Sequence, residues 1–243
     1  MLTEEAHHMF VGETGVGRTI QATVEAMNKA GITDPYDTNK IRDLGVIDLP
    51  TIQKKLNLHY TLSLDLFGQE VSTNAANAFN AGIKGRYMEM RIDDDHKLTG
   101  DTYKVLDLEG DMIIEREVPA LTAINMRLRD DYVRDASGGV GRWNKIIEKA
   151  GVEFEMKLPH QAFNRKIGVF ANKNFDPDGN MVSGAEYDKG MTEWLPTHAD
   201  GDFIQSLMKP VDEPGKFASW ISPPKVGIDN KPGDFEYVKL HMA

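Results

Sequence analysis

Cysteine is absent from the 243 residues, which excludes disulfides, thiolate nucleophiles, iron–sulfur clusters and cysteine-bound zinc. Any metal must be held by His, Asp, Glu or backbone oxygen. Long apolar runs are missing too: nothing approaches the roughly 20 consecutive residues of a membrane-spanning helix. The first eight residues, Met1 to His8, have neither the basic start nor the apolar stretch of a signal peptide. Positive charge is scarce. The 28 basic residues stand against 38 acidic ones, and a formal charge of −10 argues against non-specific nucleic-acid binding. What remains is 40% hydrophobic and 27% charged, enough apolar material for one large domain or two small ones. This suits a cytoplasmic enzyme that uses a metal or cofactor, and equally a plain interaction domain.

Periodicity makes the first half helical. Leu2, Met9, Val16, Ile20, Val24 and Met27 share one face of a helix over 1–30 that Gly31 closes. The pattern already runs at residue 2, so the chain is expected to start inside a helix whose earlier turns are missing. A short helix is expected over 36–44. Asp48-Leu-Pro-Thr51 then opens a helix with Pro in its first turn. Ile52, Leu56, Tyr60, Leu64, Phe67 and Val71, then Ala75, Phe79 and Ile83, predict that it runs for roughly 30 residues, a bundle-type length. Residues 103–108 and 112–118 flank Glu109-Gly-Asp111 as a β-hairpin. Helix is expected again over 120–134 and 142–150, separated by Ser137-Gly-Gly139. From 152 onward Pro and Gly are scattered. Trp194, Phe217, Trp220, Ile221, Phe235 and Tyr237 indicate that this segment packs down rather than floats.

Three patterns carry potential chemistry. In Glu5-Ala-His-His8, Glu-x-x-His puts a carboxylate and an imidazole on one helix face, one turn apart, where both can bind one ion. Glu5/His8 is preferred over Glu4/His7 because Glu5 follows another acidic residue. The plainer alternative is that Thr3 caps the helix and Glu4 and Glu5 complement its dipole. Gly12-Glu-Thr-Gly-Val-Gly17-Arg18-Thr19 nearly spells the phosphate loop G-x-x-x-x-G-K-[ST]. Arg18 replaces the lysine, however, and helix rather than alternating strand and helix follows. Small residues at a close helix contact are the other reading. Asp93-Asp-Asp-His96 repeats the ligand spacing, with Asp65 as a candidate bridging carboxylate, but a solvated acidic turn accounts for it better. His59, His160, His198 and His241 have no partner at a diagnostic spacing, and no G-x-S-x-G elbow is present.

Longer stretches are more specific. Met1 to Glu13, Gly45-Val-Ile-Asp-Leu-Pro-Thr-Ile-Gln53, Val118-Pro-Ala-Leu121, Leu128-Arg-Asp-Asp-Tyr-Val-Arg-Asp135, Gly141-Arg-Trp-Asn-Lys145, Glu213 to Pro224 and Asp234 to Val238 resemble, in order, the benzoyl-CoA 2,3-epoxidase family. These are the oxygenase components B of aerobic benzoyl-CoA degradation. The resemblance implies a mainly α chain: a partial ferritin-like helical bundle, a small β-hairpin and a long irregular C-terminal segment. The expected parts are 1–100 in the di-iron bundle core, 101–151 as hairpin plus helices, and 152–243 as an extension packed on that core. It also implies a cytoplasmic monooxygenase that holds two irons and epoxidises the ring of benzoyl-CoA at C2–C3 with O₂. A separate flavin/iron–sulfur reductase would supply electrons from NADPH, and neither nucleic acid nor membrane is a partner. Only one ligand motif of the family maps here, giving Glu5 and His8 as metal and catalytic residues; the others would lie upstream. Asp65, Asp93 and His96 are not carried over. The chain therefore reads as the C-terminal half of such an enzyme, inactive alone. Under that likeness Gly12 to Thr19 falls within a helix. A phosphate-loop nucleotide binder and a non-catalytic helical module are the rival readings.

Overall fold

The computed structural model describes residues 2–67, 102–109, 112–166, 170–171, 173–211 and 217–225. The expectation of a mainly α chain holds. Helix α1 spans Leu2–Ala30, α2 Thr38–Asp43 and α3 Leu49–Leu64. A 3-10 turn, Asp65–Phe67, follows. Strands β1 (Thr102–Glu109) and β2 (Met112–Pro119) pair antiparallel, from Thr102 opposite Pro119 to Glu109 opposite Met112. The expected hairpin is thus present. Helices α4 (Ala120–Lys149), α5 (Gly184–Trp194) and α6 (His198–Leu207) complete the regular elements.

Local chemistry accounts for most boundaries. Gly31 takes a left-handed φ of 70°. Its N–H donates to Asn28 O and that of Ile32 to Met27 O, the two-bond motif that closes a helix on a glycine. Gly151, at φ 71°, closes α4 in the same way, through Gly151 N to Glu148 O and Val152 N to Ile147 O. Asp48 starts α3 by accepting from Thr51 N at 2.9 Å, with Pro50 in the first turn where no N–H is needed.

Three expectations change. The two helices expected over 120–134 and 142–150 are one continuous α4. Each interior glycine costs about 1 kcal/mol of helix propensity, but the glycines at 138, 139 and 141 sit in the stretch whose Val140 and Ile147 enter the core. That packing overrides propensity. The α3 pattern ends at Leu64 and tightens to the 3-10 turn, whose first residue, Asp65, pairs with Arg165 and accepts from Lys166 N. The rest of the expected long helix, with Val71, Ala75, Phe79 and Ile83, lies outside the described residues. In the C-terminal part, two helices occupy stretches whose periodicity is too short to read.

The chain divides into two compact units, each assembled from separated stretches: 1–56, 138–158 and 192–243 in one, 57–137 and 159–191 in the other. In the first, Ile20, Val24 and Met27 of α1 meet Ile41 of α2, Leu49 and Ile52 of α3, Ile147 of α4 and Met156 in one hydrophobic cluster. Each fully buried aliphatic side chain in such a cluster contributes roughly 1.5–3 kcal/mol. At Gly17 an added Cβ would lie 3.3 Å from Ile146 Cδ1 and 3.5 Å from Trp143 Cδ1. A glycine here lets α1 and α4 approach closely. In the second unit, Tyr60, Leu64, Ala162 and Phe163 are buried. Tyr60 stacks on Tyr132 with centroids 6.0 Å apart, and Phe163 tilts against Tyr187 at 6.4 Å.

Candidate functional site

Glu5 and His8 lie three positions apart in the first turns of α1. His8 is exposed; the side chains of residues 1–7, Glu5 included, lie outside the described residues. The helix carrying the pair is anchored further along. From Glu13 onward it packs against α4: the Arg142 guanidinium pairs with the Glu13 carboxylate. Trp143 Nε1 donates to Glu13 O at 3.0 Å. That Arg142 contact holds the Glu13 carboxyl below the usual carboxylate range.

The other candidate ligands are engaged differently. Asp65 pairs with the Arg165 guanidinium and accepts from Lys166 N at 3.0 Å. Both side chains of that pair are about nine-tenths buried, so Asp65 is a partner of Arg165, in line with its not being carried over as an iron ligand. Asp93 and His96 lie outside the described residues, as does His241. The His160 ring covers Gly179, and its Nδ1 accepts from Ala162 N at 3.1 Å. The helix at 2–30 overturns the phosphate-loop alternative. A phosphate loop needs free backbone N–H groups between a strand and a helix, whereas here Gly12 to Thr19 is interior helix, with Thr19 Oγ1 donating to Gly15 O.

A cluster of charge built around two buried carboxylates, Asp48 and Asp200, was not singled out in the sequence. Arg42 Nε donates to Asp48 at 2.6 Å, and its Nη2 donates to Asp200 at 2.6 Å and to Thr51 Oγ1 at 2.7 Å. Lys54 Nζ stands 3.6 Å from Asp200, and the guanidinium lies 4.8 Å from the centroid of Phe203. Burial by itself pushes the Asp200 carboxyl up, but bonds from Thr197 and Arg42, with Lys54 nearby, outweigh it and hold the group far below its usual range. Local signals were available, an Asp48 cap and a Thr-x-x-Asp capping box at 197–200. Their convergence on Arg42, 158 positions from Asp200, was not. Both carboxylates are matched by cations, so the cluster pins α6 to α2 and α3 rather than offering free ligands. Near the C-terminal part of α1, Ala22, Ala26 and Lys29 with Phe217, Ile221 and Pro223 line an open groove of about 410 Å³.

No group of three or more His, Asp or Glu side chains able to hold a metal occurs among the described residues. Two donors from one motif cannot hold two irons. The residues described here therefore do not fit a complete di-iron centre.

These observations define the class: a mainly helical chain, consistent with a helical bundle, bearing one Glu-x-x-His motif on its first helix. No family model matches it. It is 52% identical over 241 residues, 99% of its length, to the benzoyl-CoA oxygenase component B of Aromatoleum evansii. The likeness read from the sequence is thereby borne out. The chain spans about half of that protein's length, 50%. Among the described residues, no helix is long and apolar enough to cross a membrane.

Proposed function

We propose that this chain is part of a benzoyl-CoA oxygenase component B, corresponding to its C-terminal half. In this reading the whole component is a ferritin-like di-iron monooxygenase that forms the 2,3-epoxide of the benzoyl ring. O₂, iron and a separate flavin/iron–sulfur reductase using NADPH are its co-reactants and partners. The observation that carries the reading is the 52% identity sustained across 99% of the chain, a span that includes Glu5 and His8. Their assigned role is to donate one carboxylate oxygen and one imidazole nitrogen from a single helix face. The helix that carries them is anchored in the core further along, at Ile20, Val24 and Met27.

The test mixes the full chain with the half of the Aromatoleum evansii protein that it does not match, ferrous iron, O₂, reductase, NADPH and benzoyl-CoA. Mass spectrometry should detect a product one oxygen atom heavier than benzoyl-CoA. The chain without the other half should give none. Glu5→Ala and His8→Ala should each lower the rate at least a hundredfold, the scale of a lost ligand or its support. Undiminished turnover in both variants would leave the non-catalytic helical module as the better description.

A further inference from the structure

We draw no further inference here: the strongest candidate, the open groove of about 410 Å³ between the C-terminal part of α1 and residues 217–223, is lined mostly by apolar side chains, and nothing in the structure shows what covers it.

Discussion

Asp200 shows how one side chain couples distant parts of the chain. Its carboxylate accepts from Thr197 N and Oγ1, both at 2.9 Å, and from Arg42, all within a site that leaves Asp200 only 4% exposed. Asp200→Asn would keep the shape but remove the charge that Arg42 and Lys54 face. A loss of about 2–4 kcal/mol at neutral pH is expected, a little under the roughly 3–5 kcal/mol for breaking a fully buried pair because Arg42 is partly exposed, measurable by urea unfolding. The pH dependence has a definite sign. A carboxyl whose folded pKa lies below its unfolded value, about 3.9, contributes stability that is fully present above that value. The contribution fades as pH falls through the folded pKa. The gap between wild type and Asp200→Asn should therefore be constant from pH 7 to about pH 4 and narrow below it. A gap that closes between pH 7 and 5 would show that another group controls the network. At this scale the sequence was half legible: the caps could be read locally, but the cation between them could not.

Helices α1 and α4 illustrate what a pattern of glycines means once its surroundings are known. An added Cβ at Gly15 meets nothing within 4 Å, whereas one at Gly17 meets Ile146 and Trp143. Gly15→Ala should raise stability by about 0.5–1 kcal/mol through helix propensity alone. Gly17→Leu should lower it by about 1–3 kcal/mol by overpacking the contact with α4. Thermal melts of the two variants should move in opposite directions, and equal shifts would contradict the packing. The same pair accounts for the near-match to a phosphate loop: Gly17 is demanded by helix approach rather than by a phosphate. It also explains why Ser137-Gly-Gly139 read as a break. Propensity is a prior of about 1 kcal/mol per residue, and the burial of Val140 and Ile147 exceeds it.

For the whole molecule the deciding quantity is the number of ligands. If the proposed function holds, the chain purified alone should retain less than one equivalent of tightly bound iron, since coordination by Glu5 and His8 alone would supply only part of the binding energy that orders a metal site. Elemental analysis after incubation with ferrous iron and desalting checks this. Two retained irons per chain would mean that ligands outside the described residues complete a centre without the other half. Co-expression with that half should raise the stoichiometry, and His8→Ala should lower it again.

The order of residues by itself determined the helical character of the first half, the glycine that ends α1, the hairpin and the Glu-x-x-His spacing. Each depends on neighbours within a few positions, where backbone geometry and side-chain period act directly. The tertiary structure alone decided that α4 is unbroken and that Asp65 belongs to Arg165. It also showed that Arg42 joins two carboxylates and that Met9, Phe10 and Val11 stand clear of the packed core. Those outcomes depend on which surfaces meet after collapse, where burial and charge pairing between residues 100 to 158 positions apart outweigh local preference.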